Sequence, residues 1–333
     1  MKYIIILSLI IFSCQKLENS SNTDSTKSKT VLVIHGGAGT ILKKNMTEEK
    51  EKAYLEIMED VLKQGFDLLE SGKSSLDVVQ HCVMIMEDSP MFNAGKGAVY
   101  NSKGQQEMDA SIMDGKTLNA GAVAGVNQIK NPIHAARIVM DSSVHVMLSG
   151  QGAVEYVSQL GVELVDSTYF FNERRLEQLR RAKEKELSVL TEDQKFGTVG
   201  AVALDQRGNL AAATSTGGMT NKKFGRIGDS PIIGAATYAN NNTCAISSTG
   251  HGEYFIRLGV ARDISAIMEY KNLNGLDAGN IVIHNKLEAL GGTGGVIILD
   301  NAGNHSFVFN TAGMYRGFVS ESGEITTEIY DME

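Results

Sequence analysis

The sequence predicts an α+β fold of stacked layers. Three patterns carry that expectation: apolar runs closed by glycine clusters, two hairpins built to one plan, and segments of helical periodicity that do not alternate strictly with the strands. Val31, Leu32, Val33 and Ile34 form a short apolar run that stops at His35-Gly-Gly-Ala-Gly39, which reads as a buried strand feeding a tight, site-supporting turn. From 47 to 71, Tyr54, Ile57, Met58, Val61, Leu62, Phe66 and Leu69 recur at helical spacing, with Gly72 as the stop signal. Leu76, Val79, Val83 and Met86 predict a second helix over 75–87. Residues 199–204 and 210–214 flank Asp205-Gln-Arg-Gly-Asn209, and residues 296–299 and 306–309 flank Asp300-Asn-Ala-Gly-Asn304, so both segments read as hairpins. Between them, Phe255, Leu258, Ala261, Ile264, Ile267 and Met268 predict a helix over 253–270. Residues 172–194 are crowded with Arg, Lys and Glu and carry few apolar anchors. A solvated helix is one reading. The reading preferred here is a mobile charged segment that delivers the chain to Gly197-Thr198-Val199.

Composition narrows the function classes. The 333 residues suffice for one large or two ordinary domains, and 42% hydrophobic with 21% charged residues is the balance of a globular protein with a substantial core. A net charge of -8 argues against nucleic acid as a partner, because phosphate binding needs a basic face. Thirty-five glycines, many of them clustered, indicate loops where backbone approaches something closely. Cys82 and Cys244 lie in apolar surroundings and read as buried thiols rather than a disulfide framework.

The N-terminus is a different material. Lys2 precedes a run over 3–12 that is almost wholly apolar and too short to span a bilayer as a mature helix, which reads as a secretory signal. Its Ile-Phe-Ser-Cys14 ending resembles a bacterial lipoprotein signal with Cys14 lipidated; an ordinary or membrane-retained signal is the alternative. The expected division is a signal over 1–13 and a disordered Ser/Asn/Thr/Lys-rich tether over 14–30. The mature protein is then periplasmic or lipid-anchored at a bacterial membrane.

For chemistry, the absences come first. There is no G-x-S-x-G elbow, H-E-x-x-H, C-x-x-C or P-loop, and the seven histidines show no metal-ligand spacing. What remains is a density of Gly, Thr, Ser, Asn and Asp around His35, Asn93, Thr198, Thr214 and Thr249. A threonine hydroxyl is a poor nucleophile unless a base takes its proton. If Thr198 became an N-terminus its own α-amine would serve, since that group's reference pKa of about 7.7–8.0 leaves a neutral fraction near pH 7. Gly197 adds no side chain beside the carbonyl that the hydroxyl must attack, and it tolerates strained backbone.

Long strings then carry a family resemblance. VLVIHGGAG, FNAGKGAVYNSKGQQEMDASIMDG, GTVGAVALDQRGNLAAATSTGGMTNK, GRIGDSPIIGAATYANN, STGHGEYFIR, GGTGGVIILD and FNTAGMYRG follow one another in order. With them the chain resembles the plant-type asparaginase and isoaspartyl peptidase family, relatives of glycosylasparaginase among the N-terminal-nucleophile hydrolases. The likeness runs from Val31 to about Val319. It implies a four-layer αββα sandwich cut between Gly197 and Thr198 into an α-subunit (31–197, with 172–196 as a mobile linker) and a β-subunit (198–333), together one hydrolase domain. By resemblance Thr198 is the nucleophile, Thr216 orients it, and Asn93 hydrogen-bonds its α-amine. Arg226 pairs with the substrate α-carboxylate and Asp229 with its α-amine, a geometry of positional catalysis. The Thr249 hydroxyl and Gly250 N–H match oxyanion-hole donors, and His251 and Gly252 complete the substrate-binding string. His251 departs from the small hydroxyl residue of many relatives. No cofactor is implied beyond a structural sodium ion held by main-chain carbonyls of 86–96. Residues 101–114 are expected to form a surface hairpin despite matching the family.

The expected activity is release of L-aspartate from β-aspartyl dipeptides and L-asparagine, with pairs of αβ units as the assembly. A glycosylasparaginase-like amidase acting on glycan-linked asparagine is the alternative. A threonine endopeptidase is disfavoured, because an internal peptide residue has no free α-groups for Arg226 and Asp229. An inactive, surface-anchored binding lipoprotein predicts damage at the junction, yet all the matched residues are intact.

Overall fold

A computed structural model describes residues 29–188 and 197–331. The first half runs β1 (Val31–Gly39), α1 (Glu48–Glu70), α2 (Ser75–Asp88), β2 (Met108–Asp114), β3 (Ala120–Val126), α3 (Pro132–Ser142), β4 (Met147–Ser149), α4 (Gly150–Ser158) and α5 (Glu173–Ser188). Across the junction follow β5 (Val199–Leu204), β6 (Leu210–Thr216), β7 (Thr237–Ala239), β8 (Cys244–Gly250), α6 (Gly252–Leu258), α7 (Val260–Lys271) and α8 (Gly275–Asn280), the last continuing into a π-helical turn, Ile281–Leu287. The chain closes with β9 (Gly294–Asp300), β10 (His305–Phe309), β11 (Gly313–Ser320) and β12 (Ile325–Tyr330).

Among the described residues, twelve strands make two sheets. One has eight strands in the order β12-β11-β1-β5-β6-β2-β3-β4, the other four in the order β10-β9-β8-β7. Three apolar clusters show how they stack. Leu32, Ile34, Val199, Ala201 and Ala203 face Met58, Val61, Leu62, Val79 and Val83 of α1 and α2. The alternate residues Val31, Val33, Val202 and Leu204 face Ala245, Ile297 and Leu299 of the smaller sheet. On that sheet's outer face Ile246, Val296 and Ile298 pack under Phe255, Ile264, Ala278 and Val282. The order is helix, sheet, sheet, helix: the expected αββα sandwich. Strands buried on both faces read as continuous apolar runs because neither side of the pleat meets water.

Local chemistry explains the elements. Thr47 caps α1 by accepting from the Lys50 N–H at 3.3 Å, a contact that contributes about 1 kcal/mol in typical hosts. Both predicted hairpins form, and each aspartate closes its own turn: Asp205 Oδ1 accepts from Arg207 N and Asn209 N, Asp300 Oδ1 from Ala302 N and Asn304 N. Cys82 and Cys244 are buried and free.

Four expectations need correction. The His35–Gly39 segment is not a turn but the continuation of β1, with a register shift against β11 between His35 and Gly37. The helix expected over 253–270 is two, broken at Gly259 where φ is +59°. Residues 108–114 are a buried central strand between β6 and β3, so only the turn before it lies toward the surface; alternating Ala, Ser and Ile concealed a strand covered on both faces. Finally, the expected linker over 172–196 is helical as far as Ser188 (α5), with 189–196 outside the described residues. Two of its charges make docking contacts: Arg174 Nη2 donates to the Pro90 and Met91 carbonyls and Arg175 Nε to the Gly97 carbonyl, while Glu173, Glu177, Arg180 and Arg181 stay largely in solvent. The signal and tether, including Cys14, also lie outside the described residues.

One buried carboxyl ties three elements together. Glu87, at the end of α2, accepts from Ser215 Oγ–H of β6 at 2.6 Å and from the Ile133 N–H of α3 at 3.0 Å. Burial pushes its pKa from 4.5 up to about 8, the hydrogen bonds offsetting only part of that cost. The folded state therefore holds a proton that the unfolded chain has released, and stability falls as pH rises from 4.5 towards 8. Glu87→Gln is expected to flatten that fall, with its advantage in Tm growing on the alkaline side. A pH series of thermal melts checks it; parallel curves for the two proteins would refute it.

Candidate active site at the 197–198 junction

Thr198 stands immediately before β5 and is buried, 6% exposed. Its Oγ1 donates to Thr216 Oγ1 at 3.1 Å, at the end of the adjacent strand β6. Thr216 Oγ1 also accepts from the Gly218 N–H at 3.1 Å, so its lone pairs are fixed toward its two donors. The preceding carbonyl is held as well: Gly197 O accepts from the Asn93 N–H at 3.0 Å, and the Asn93 carbonyl accepts from Gly217 N at 2.9 Å. Asn93 thus clamps the junction through its main chain. Its side chain is committed elsewhere, donating to Gly218 O at 2.7 Å and accepting from Val99 N at 3.0 Å. The expected contact from Asn93 to the Thr198 α-amine does not occur in the uncut chain, where that nitrogen is still an amide.

Space at the junction is reserved for backbone. Gly37 has φ +112°, and a Cβ there would come within 2.6 Å of Gly197 Cα. At Gly200 a Cβ would meet Ser247 Oγ at 2.0 Å and His35 Nε2 at 2.4 Å. Side chains are excluded on both sides of the bond that would break, which accounts for two of the glycine clusters in the sequence.

At the C-terminal end of β8, Thr249 is fully buried and its Oγ1 accepts from the Ala38 N–H of β1 at 3.3 Å. That uses a lone pair and leaves the Thr249 O–H to donate. Gly250 follows as the last residue of β8, and His251 opens α6.

Arg226, Asp229, His251 and Gly252 form a second group. A Cβ at Gly252 would lie 2.8 Å from Arg226 Nη2 and 3.0 Å from both Asp229 N and Asp229 Oδ1, so this glycine keeps open a cradle between a cation and a carboxyl. Arg226 is not paired with Asp229. Its Nε and Nη2 donate side by side to Glu253 at 2.9 and 3.0 Å, and His251 Nε2 lies 3.2 Å from the same carboxylate. Burial opposes the Arg226 charge, but Glu253 more than compensates and its pKa is raised. Asp229 Oδ2 is buried with no hydrogen-bond partner, and burial pushes this carboxyl up to about 7 despite the nearby Arg226. No direct hydrogen bond joins this group to Thr198 among the described residues.

Two residues that the sequence reading passed over emerge here. Glu253, inside the STGHGEYFIR string, is the Arg226 partner. Lys222 is buried beside Gly218 and donates to the Glu107 carbonyl at 2.8 Å, fixing the turn after β6. A cavity of about 140 Å³ on the Gly197 side is lined by Asn93, Gly197, Arg174, Arg175 and Tyr315, and shares no residue with the Arg226 group.

Two glycines, Gly95 in the loop over 86–96 and Gly97 just after it, lie tight against main-chain carbonyls. A side chain at Gly95 would sit 2.3 Å from the Glu87 carbonyl oxygen, and one at Gly97 2.0 Å from that of Phe92. These are neutral oxygen donors, the ligand type of hard cations.

The chain is similar to known proteins over most of its length. A family model described as asparaginase matches residues 28–329. The chain is 49% identical over 309 residues to the isoaspartyl peptidase of Escherichia coli (strain K12), covering 91% of this chain and 96% of that one. It is 40% identical over 326 residues to a probable isoaspartyl peptidase/L-asparaginase 2 of Arabidopsis thaliana, covering 90% and 98%. To the isoaspartyl peptidase/L-asparaginase of Xenopus laevis it is 40% identical over 286 residues, covering 86% and 91%.

Proposed function

This chain belongs to the asparaginase family, and from that premise we propose that it is a self-cleaving threonine amidohydrolase releasing L-aspartate from β-aspartyl dipeptides and L-asparagine. The observation that carries the reading is the arrangement at the junction: a buried Thr198 hydroxyl held by Thr216, beside a Gly197 carbonyl held by the Asn93 N–H.

In maturation the Thr198 oxygen attacks the Gly197 carbonyl carbon while Thr216 Oγ1 accepts its proton's hydrogen bond. The Asn93 N–H meets the charge that develops on the carbonyl oxygen. The C–N bond breaks as the nitrogen takes a proton, leaving an ester from Gly197 to the Thr198 oxygen. Water hydrolyses that ester to a Gly197 carboxylate and a Thr198 with free amine and free hydroxyl. In turnover the amine is the base. The hydroxyl attacks the side-chain carbonyl of the aspartyl unit, the leaving amine departs protonated, and water releases aspartate from the acyl-enzyme. The Thr249 O–H and Gly250 N–H are the donors assigned to the second oxyanion; typical donors of this kind contribute about 3–4 kcal/mol.

Arg226 and Asp229 hold the substrate's α-groups on either side of the Gly252 cradle. Glu253 takes two of the five guanidinium N–H groups, leaving three for a carboxylate. His251 acts on the substrate through Glu253. A sodium ion in the 86–96 loop would pin the segment bearing Asn93 and supply no chemistry of its own. The apolar N-terminal run and the Ser13-Cys14 pair support secretion and lipid anchoring at a bacterial membrane. Assembly as pairs of αβ units rests on the family resemblance.

Two outcomes are expected. Wild-type protein on a denaturing gel gives two fragments, the smaller beginning Thr-Val-Gly-Ala, whereas Thr198→Ala stays whole and hydrolyses nothing. Turnover by that variant would sink the nucleophile assignment. Secondly, Asp229 must be ionised to accept an ammonium, and its pKa in the free protein is about 7. Lower pH fills that site with a proton, so kcat/KM for β-aspartyl dipeptides should fall as pH drops through about 7, mainly through KM. A KM that is flat between about pH 5.5 and 8.5 would contradict the assignment.

A further inference from the structure

Between the two sheets, amid apolar residues, runs one continuous line of hydrogen-bonded side chains. His35 on β1 places Nδ1 3.1 Å from the Thr198 carbonyl oxygen and Nε2 2.8 Å from Ser247 Oγ on β8. Ser247 meets Thr214 on β6 at 2.6 Å, and Thr214 meets Thr237 on β7 at 2.6 Å. Ser111 on β2 lies 2.7 Å from Thr237 Oγ1 and 2.6 Å from the Ser230 carbonyl oxygen. The four links between side chains each cross from one sheet to the other, and all five side chains are completely buried. It starts on the backbone of the nucleophile and ends on the residue that follows Asp229. Apolar side chains would fill this layer without needing partners, whereas a buried hydroxyl costs free energy unless it is bonded.

Counting hydrogens gives the line a direction. Both ends are carbonyl oxygens, which only accept. Burial lowers the His35 pKa to about 3, so the ring is neutral with one hydrogen, and the Thr198 carbonyl requires it on Nδ1. Nε2 must then accept from Ser247, Ser247 from Thr214, Thr214 from Thr237, and Thr237 from Ser111. Six contacts share five hydrogens. The shortfall falls on Ser111, whose single hydrogen serves either Thr237 or the Ser230 carbonyl. The nucleophile end is therefore fully bonded, and the one adjustable link sits at the clamp end.

We propose that His35, Ser247, Thr214, Thr237 and Ser111 work as one positioning unit, which holds the Thr198 backbone in register with the Asp229–Ser230 backbone across the sandwich. None of the five touches substrate. The inference rests on the proposed amidohydrolase reading, because it needs a nucleophile and a clamp to align. Mutual placement is what this type of catalysis depends on, and a 1 Å error can cost about a hundredfold in rate.

Thr237→Val tests it, since the swap keeps the shape and cuts the line in the middle; Thr237→Ser keeps the hydroxyl. Expected for the valine variant is a fall in kcat/KM of roughly tenfold or more, with recovery in the serine variant. Single cuts at the two ends should separate. Ser247→Ala lowers kcat and slows cleavage at Gly197–Thr198, while Ser111→Ala raises KM and leaves the cleavage rate near wild type. These two end variants carry the test alone if Thr237→Val does not fold. Variants that lose Tm but keep kcat, KM and cleavage rate within about twofold of an active wild type would show a merely structural line and overturn the inference. A wild type that neither cleaves itself nor hydrolyses β-aspartyl substrates would overturn the functional reading and this inference with it.

Discussion

Everything at this site depends on keeping one hydroxyl dry, oriented and close to the carbonyl that precedes it. Thr198 meets that constraint because it stands at the mouth of two stacked sheets, with β1 and β6 on either side of β5. Its hydroxyl is held by Thr216, its own carbonyl by His35, and the neighbouring Gly197 carbonyl by Asn93. Three hydrogen bonds on consecutive backbone and side-chain atoms leave the junction little freedom. A single bond of this kind nets only about 1 kcal/mol of stability, so their value lies in geometry rather than in folding energy. The same constraint explains the glycines: any Cβ at 37 or 200 would occupy space that the junction or its supports already fill.

The fold serves this constraint by burying strands on both faces. Antiparallel sheets usually leave one face to water, and their strands then alternate polar and apolar residues. Here the inter-sheet layer removes that face, which allows a histidine and four hydroxyls to lie on one line out of water's reach. A hydrogen-bonded line in such surroundings has no competing solvent, so its bonds are stronger and its gaps more costly than at a surface.

Legibility in the sequence followed the range of the signals. Helices α1 and α2, the two D-x-x-G-N hairpins and the burial of Cys82 and Cys244 were readable because each rests on local spacing or local turn chemistry. The strand β2 was not, since Ala110 and Ser111 carry little apolar signal and its place between β6 and β3 is a long-range fact. Helix α5 was misread for a related reason: Arg174 and Arg175 look solvated in sequence, while the carbonyls that receive them come from residues about 80 positions earlier. Thr198 could be singled out by its chemistry after Gly197, whereas Thr216, Arg226 and Asp229 stood out only within the ordered strings. Glu253 stood inside one of those strings and was overlooked, because nothing local shows that its partner is Arg226.

The charges of the second group make sense when considered together with a zwitterionic substrate. A lone guanidinium and a lone carboxylate, both buried and waiting, would each bear a desolvation cost. Glu253 offsets the first by pairing with Arg226, and burial eases the second by raising the Asp229 pKa, which favours its protonated form. On the proposed roles, an α-ammonium would replace the proton on Asp229 and an α-carboxylate would take the guanidinium N–H groups that Glu253 leaves. Recognition on those terms would depend on both α-groups being free, which the interior of a peptide chain does not offer.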